Sequence, residues 1–182
     1  MTYPFLQAKY YTPGRGGTLP RLIVIHTMET PETYGRAKQV WRWLWGKTSP
    51  KASAHYMTDA TTIEQSVLET DTAWAVGDWL LNRASISIEL SGEASQTKAQ
   101  WADAYSTAEL TLVAGLVKEI ATRHSIPLVR LTPADILAGK SGLCGHIDIT
   151  VAKKIRGGHT DPGAGFLWND FLNKVKTESQ KL

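Results

Sequence analysis

The sequence predicts an α/β fold in which a mixed central β-sheet is flanked by helices. Two segments predict buried strands of that sheet. Arg21-Leu-Ile-Val-Ile-His26 contains four consecutive apolar residues, and Ser85-Ile-Ser-Ile-Glu-Leu90 alternates apolar and polar residues. Apolar residues at helical spacing follow Thr30 and Ser106 and predict helices that pack on the sheet. We therefore expect a sheet of about five or six strands, with functional groups in a cleft at the strand ends.

Three helices are predicted from apolar periodicity and end signals. Thr30-Pro31 is typical of a helix start, and Gly46 is expected to end that helix. Ser106-Thr-Ala-Glu109 has the pattern of a capping box, so we expect a helix of about four turns that starts there. Apolar residues between Trp168 and Val175 repeat at helical spacing and predict a closing helix.

The segments between these elements are predicted to be a hairpin and two connections. Ser53-Ala-His-Tyr-Met57 and Thr62-Ile-Glu-Gln-Ser-Val67 flank a turn and predict paired strands. Leu68 to Arg83 has no clean period, so we expect a long functional loop. Thr132 to Gly142 is interrupted by proline and glycine and is expected to be a second connection.

Composition indicates a soluble protein of one domain, residues 1–182, whose polar tail at 176–182 frays or begins a linker. The net charge of +3 would suit an anionic partner such as a cell-wall polymer but is too weak to argue for nucleic acid. The single cysteine cannot form an internal disulfide. Met1 to Pro20 lacks the apolar core of a signal peptide, and no apolar run reaches membrane-spanning length.

Three of the five histidines are candidate metal ligands. His26 ends the first predicted strand, whereas His146 and His159 each follow glycine. Asp161 comes two residues after His159, in a turn stiffened by proline. Catalytic zinc usually takes three protein ligands and leaves a fourth position for water. Two histidines and a carboxylate would satisfy this rule, but their spacing alone does not select which.

Other residues allow both a structural and a functional interpretation. Glu89 is the only carboxylate on the polar face of its strand, and is either a solvated charge or a catalytic group facing a cleft. Trp43 and Trp45 either extend the core or offer rings on which a substrate stacks. Cys144 is either a small buried hydrophobe or, sharing a strand face with His146, an alternative third metal ligand.

Seven motifs follow one another in a specific order: Ile-Val-Ile-His26, Ser53-Ala-His-Tyr-Met57, Ala73-Trp74, Asn82, Ser85-Ile-Ser-Ile-Glu-Leu-Ser-Gly92, Gly145-His146 and Thr160-Asp-Pro-Gly-Ala-Gly-Phe166. This succession resembles the type-2 N-acetylmuramoyl-L-alanine amidases. That family includes phage endolysins, bacterial cell-wall recycling amidases and the animal peptidoglycan recognition proteins. The resemblance runs from about residue 20 to residue 175, which is nearly the whole chain.

The resemblance implies the mixed fold of that family and a zinc ion in the cleft. His26, His146 and Asp161 match the family's three zinc ligands. Glu89 matches its catalytic glutamate, and Tyr56 matches a tyrosine that is important in some members. Because the Asp-Pro-Gly motif is specific, the resemblance favours an aspartate over a cysteine as the third ligand.

Two departures from the family pattern affect the cleft. His159 stands where the family often has a lysine that stabilises the developing oxyanion, and an imidazole can donate the same hydrogen bond. Ala73-Trp-Ala-Val-Gly77 lacks a histidine that commonly follows this motif, so the wall of the cleft differs. Four residues are expected to contact the substrate: Trp43, Trp74, Trp79 and Asn82.

The implied reaction is hydrolysis of the amide that joins N-acetylmuramic acid to L-alanine in peptidoglycan. Zinc would lower the pKa of water from about 15.7 to about 7, while Glu89 would accept a proton and later protonate the leaving amine. His159 or Tyr56 would help to hold the oxyanion. We expect a monomeric, bacteriolytic phage endolysin that passes from the host cytoplasm to the cell wall. A non-catalytic recognition module and a cytosolic muropeptide-recycling amidase are the alternatives.

Overall fold

The computed structural model describes residues 3–48 and 50–178. Its strands, in chain order, are β1 (Tyr11–Thr12), β2 (Leu22–Thr27), β3 (Tyr56–Thr58), β4 (Ile63–Gln65), β5 (Thr72–Ala73), β6 (Ser85–Leu90) and β7 (Gly142–Gly145). Five of them form one sheet in the order β4-β3-β6-β2-β7, and β1 pairs with β5 separately. All pairs of the large sheet are parallel except the hairpin of β3 with β4. The predicted mixed sheet is confirmed.

Helices cover both faces of this sheet. They are α1 (Arg36–Trp45), α2 (Trp79–Ala84), α3 (Ala104–His124), α4 (Pro133–Leu137), α5 (His146–Lys153) and α6 (Trp168–Thr177). The long α3 packs with α6 on one face, whereas α2, α4 and α5 contribute to the core of the other. Within the described ranges, none of these helices has both the length and the apolar character that a bilayer crossing needs.

β2 lies in the centre of the sheet and is buried along its whole length. Ile23 and Ile25 join the core beneath α3 and α6. Leu22 and Val24 join the core beneath α4 and α5. Because side chains alternate along a strand, His26 points to the same face as Leu22 and Val24. The predicted strand, buried on both faces, is confirmed. His26 lies near its carboxyl end, on the face that carries Leu22 and Val24.

β6 runs parallel to β2 and shows the predicted alternation. Ile86, Ile88 and Leu90 all belong to the core beneath α3. Glu89 lies between two of them in sequence and therefore points to the opposite face. In the parallel register Glu89 is paired with His26, so the two side chains leave the sheet side by side.

The helix predicted from Thr30 begins later in the structure. The Thr30 amide instead donates to the Gly92 carbonyl oxygen at 3.2 Å, which connects this segment to the residues just after β6. The helix begins at Arg36, and its N-cap is Gly35, which has a φ of 79°. The predicted end at Gly46 is confirmed.

The capping box predicted at Ser106 is wrong, because α3 begins two residues earlier. Asp103 is the N-cap, and its carboxylate accepts a hydrogen bond from the Ser106 amide at 2.9 Å. Glu109 is instead fully buried and accepts a hydrogen bond from the Thr58 hydroxyl at 2.8 Å. A nearby acid upstream therefore replaced the expected serine as the cap.

Two predicted connections contain regular structure. Leu68 to Arg83 includes β5 and most of α2, so it is not one long loop. Thr132 to Gly142 includes α4, which begins with a capping box formed by Thr132 and Asp135. The tail predicted at 176–182 is helical through Thr177, and its last four residues lie outside the described ranges.

Candidate metal centre

Three side chains from distant parts of the sequence converge at the strand ends. His26 comes from the end of β2, His146 from the first turn of α5, and Asp161 from the turn that follows α5. The Nδ1 atoms of the two histidines lie 3.1 Å apart. An Asp161 carboxylate oxygen lies 3.2 Å from Nδ1 of His26, and the other lies 3.4 Å from Nδ1 of His146. Together they form a buried group whose ligand atoms could hold a metal ion.

His146 is placed by the junction between β7 and α5. The backbone amide of Gly145 donates to the Asp148 carboxylate at 2.7 Å, and Arg130 forms an ion pair with the same carboxylate at 2.6 Å. A Cβ atom at Gly145 would come within 2.6 Å of Pro162 Cδ. The glycine therefore lets the Asp161 turn pack directly against the backbone at the N-cap of α5.

Asp161 is held by backbone groups from both neighbouring elements. The Thr27 amide donates to its carboxylate at 3.4 Å, and its carbonyl oxygen accepts from the Ile147 amide at 3.0 Å. Burial acts to raise the pKa of Asp161, but the two histidines hold that pKa well below its usual range. Burial lowers the pKa of His26. An ionised carboxylate beside a neutral imidazole is the protonation state that binds metal ions.

Two buried polar atoms of the group make no hydrogen bond within the described part of the chain. They are Nε2 of His26 and Oδ1 of Asp161. A buried polar atom without a partner is costly, and such atoms mark functional sites or bound ions. The Asp161 atom is one of those that face the converging histidines.

Glu89 stands at the edge of this group. Its Oε1 lies 4.0 Å from His26 Nδ1, and its side chain keeps 21% exposure. Burial, followed by the carboxylates of Asp161 and Glu29, raises the pKa of Glu89 well above its ordinary value. A carboxyl group with a raised pKa beside a cleft is suited to accept and return a proton.

His159 reaches the group from the solvent side. Its ring stacks on the ring of His146, with 4.5 Å between centroids and an interplanar angle of 13°. Its Nδ1 lies 3.6 Å from Oδ1 of Asp161, while its side chain is 64% exposed. The structure therefore places His159 beside the predicted ligands but more open to solvent than they are.

A cavity of about 300 Å³ opens above the group. His26, Glu89, His146, His159 and Asp161 all line it. Its apolar wall includes both Trp43, whose side chain is 48% exposed, and Trp74. These are two of the four residues expected to contact the substrate. The cavity is also lined by three residues that the sequence motifs did not indicate: Thr27, which ends β2, and Met28 and Glu29, which follow it.

Tyr56 does not reach the cavity, contrary to expectation. In the parallel pairing of β3 with β6, Tyr56 lies opposite Ile88, so it shares the face that packs beneath α3. Its hydroxyl donates to Glu69 at 2.7 Å, on the other side of the sheet from Glu89. Strand register, which the motif alone does not reveal, assigns this tyrosine to the core.

Trp79 and Asn82 also lie outside the cavity lining. Asn82 is buried, and its side-chain oxygen accepts hydrogen bonds from the amides of Ala75 and Val76 at 3.0 and 2.9 Å. Trp79 opens α2 on the outer surface, where the Arg83 guanidinium lies 5.5 Å from its ring centroid. Both residues therefore lie outside the cavity that Glu89 lines.

Cys144 does not join the metal-binding group either. Its side chain is fully buried among apolar residues that include Leu22 and Val24. Burial raises the pKa of its thiol far above the usual range, which disfavours the thiolate that binds metals. His146 lies in a helix instead of in the strand that contains Cys144, so the two do not share a strand face.

Comparison with known proteins agrees with this geometry. The family described as N-acetylmuramoyl-L-alanine amidase, Amidase_2, matches residues 16–164. No curated protein gives a significant sequence match. Similar solved structures include AmpD (20% identity, 95% of this chain and 94% of that chain, TM-score 0.68) and the catalytic domain of XlyA (20%, 96% and 99%, 0.65). Another is the amidase LysC from Clostridium intestinale (14%, 98% and 99%, 0.59). The chain belongs to the Amidase_2 family and is an N-acetylmuramoyl-L-alanine amidase.

Proposed function

We propose that this amidase depends on a zinc ion held by His26, His146 and Asp161. The observation that carries the proposal is the convergence of the donor atoms. The two imidazole Nδ1 atoms lie 3.1 Å apart, one Asp161 carboxylate oxygen lies 3.2 Å from that of His26, and the other oxygen lies 3.4 Å from that of His146. A tetrahedral ion with bonds of about 2.0–2.1 Å requires donor atoms roughly 3.3–3.4 Å apart. Each of the three separations is thus close to the length of one edge of such a tetrahedron. Two imidazoles and one carboxylate leave the fourth position for water or substrate, as catalytic zinc sites do.

When bound, zinc supplies Lewis-acid chemistry that polarises a carbonyl group and brings the pKa of water near 7. Glu89 is the general base and acid in this proposal. Its carboxylate takes a proton from the attacking water and delivers that proton to the leaving amine. Its position 4.0 Å from His26 and its raised pKa both support the role.

His159 is the second catalytic group in the proposal. Its imidazole donates a hydrogen bond to the oxygen that gains negative charge as water attacks the scissile carbonyl. Stacking on His146 fixes the plane of the ring, while its exposure keeps a ring nitrogen accessible to substrate. Tyr56 is hydrogen-bonded to Glu69 on the face of the sheet opposite Glu89. Of the two residues considered for stabilising the oxyanion, we therefore favour His159.

The substrate bond is the amide between N-acetylmuramic acid and L-alanine, and the polymer is peptidoglycan. Trp43 and Trp74 give the groove aromatic walls against which sugar or peptide can stack. We assign the chain, as a monomeric catalytic domain, to a phage endolysin that lyses the host wall. The half-exposed Trp43 at the mouth of an open cleft suits a polymeric substrate.

The test is release of new L-alanine amino termini from purified peptidoglycan. The enzyme is assayed as prepared, after chelation, and after zinc is restored. Loss on chelation with recovery on zinc addition supports the proposal, whereas full activity after verified metal removal refutes zinc dependence. A parallel assay on soluble muropeptides tests the endolysin role. Turnover of soluble fragments with none on intact wall would favour a recycling amidase.

A further inference from the structure

Glu29 has an unusual backbone conformation at the mouth of the metal cleft. Its φ of 51° lies in the left-handed region, which disfavours residues with a Cβ atom. It follows β2 by two residues and lines the same cavity as Glu89. Strained residues of this kind persist only where surrounding contacts maintain them, and they cluster at functional sites. The contacts of its carboxylate indicate what the conformation achieves.

One carboxylate oxygen of Glu29 joins two segments. It accepts a hydrogen bond from the Thr27 hydroxyl and a second from the Ala94 amide at 3.0 Å. The backbone amide of Thr27 in turn donates to the Asp161 carboxylate at 3.4 Å. Thr27 therefore contacts the proposed metal ligand with its backbone and Glu29 with its side chain.

Ala94 completes a closed ring of contacts. Gly163 has a φ of 87°, and a Cβ atom there would overlap the carbonyl oxygen of Ala94. The two backbones are thus in direct contact, two residues after Asp161. The Gly163 amide donates to the Thr160 carbonyl oxygen at 3.1 Å and so closes the turn around the aspartate. Contacts therefore run from Asp161 through Thr27, the Glu29 carboxylate, Ala94 and Gly163 back to the Asp161 turn.

We propose that Glu29 is a positioning residue for the third metal ligand. Its carboxylate fixes Thr27, whose amide donates to the Asp161 carboxylate, and the Ala94 segment, whose backbone contacts Gly163 in the Asp161 turn. The inference rests on the proposed function, since it requires a metal held by Asp161. Mutation of an outer-shell residue that helps to orient a metal ligand typically lowers the metal affinity by about tenfold to a hundredfold.

Glu29→Gly separates this role from a general contribution to stability. Glycine adopts a φ of 51° without strain, but it lacks the carboxylate that joins Thr27 to Ala94. We expect the metal-free variant to melt at or above the temperature of the parent chain. We also expect its dissociation constant for zinc to rise by about tenfold to a hundredfold. A residue with only a structural role would not show weaker zinc binding together with unchanged stability.

Two further variants serve as controls. Glu29→Gln keeps an oxygen that can accept both hydrogen bonds, so its zinc affinity should stay near that of the parent. An equal loss in Glu29→Gln and Glu29→Gly would assign the effect to charge and overturn the positioning role. Glu93→Gln removes a neighbouring carboxylate from the segment that contains Ala94, and its affinity should be unchanged.

The measurement is competition for Zn²⁺ between the purified full chain and a chelator of known affinity, with thermal unfolding of the metal-free proteins alongside. Unchanged zinc affinity in Glu29→Gly overturns the inference. If that variant does not fold, Thr27→Val tests the inference instead. It removes only the hydroxyl that donates to the Glu29 carboxylate, and it should also weaken zinc binding. A parent chain that binds no zinc overturns the proposed function itself, which distinguishes the two failures.

Discussion

Replacing Glu109 with glutamine should remove a large pH dependence from the stability of the protein. Glu109 lies on α3 and is fully buried. One carboxyl oxygen accepts hydrogen bonds from the Thr58 hydroxyl and the Ser91 amide, each at 2.8 Å. The other has no hydrogen-bond partner within residues 3–48 and 50–178. Burial raises the pKa of Glu109 to about 8, against an ordinary value of 4.5.

The sign of the effect follows from where the proton is bound. Between pH 4.5 and about 8 the folded chain keeps the Glu109 proton, whereas the unfolded chain has lost it. The favourable contribution is therefore complete below pH 4.5 and declines until the pH reaches the folded pKa. Each pKa unit corresponds to about 1.4 kcal/mol, so the decline across the window is on the order of 5 kcal/mol. Relaxation of the core around the charged form would reduce this magnitude.

The assay is urea unfolding of the metal-free parent and of Glu109→Gln at intervals from pH 4.5 to 8.5. Glutamine resembles the protonated acid in shape and charge, and all other titrating groups are common to both proteins. As the pH rises, the unfolding free energy of the variant should therefore increase relative to that of the parent, by up to several kcal/mol. A difference that stays constant with pH would contradict the raised pKa and show that Glu109 in the folded chain ionises at its ordinary pKa.

Four other substitutions test the proposed site and its supporting turn. Asp161→Ala and His146→Ala should each lose most bound zinc, and full metal content in both by elemental analysis would contradict the ligand assignment. Glu89→Gln should keep its zinc while the rate of amide hydrolysis falls by about 10²–10⁴-fold; unchanged turnover would remove Glu89 from the mechanism. Gly163→Ala should lower the melting temperature, because its Cβ atom would overlap the Ala94 carbonyl oxygen at a φ of 87°. An unchanged melting temperature would show that the turn can adjust freely.

The sequence predicted the elements whose pattern is local. β2 is a short strand that begins with four apolar residues and is buried on both faces, and β6 alternates because its apolar side meets α3. The sequence misplaced the starts of α1 and α3, since each depends on contacts that compete with the local signal. Thr30 could have capped a helix, but its amide donates to the carbonyl oxygen of Gly92, two residues after β6. Ser106 could have capped α3, but Asp103 does so from three residues upstream.

Residues of the site were harder to predict where their orientation depends on strand pairing. The motif that contains Tyr56 does not reveal which face of the sheet the tyrosine occupies. That face is set by its pairing opposite Ile88 instead of opposite Glu89. The closed set of contacts through Glu29 also could not be predicted from the sequence. It links segments that are more than sixty residues apart and gives no periodic signal. Family resemblance could suggest ligands, but it could not supply these contacts.

The register of the central strands connects the core to the chemistry. His26 and Glu89 are paired across β2 and β6, so both leave the sheet on the same face. A slip of β6 by one residue would turn Glu89 towards α3 and bring Ile88 or Leu90 to the cleft. Burying a carboxylate among those apolar side chains is costly, and so is exposing either apolar residue. The apolar alternation of β6 therefore specifies the position of the proposed acid–base group as well as the stability of the sheet.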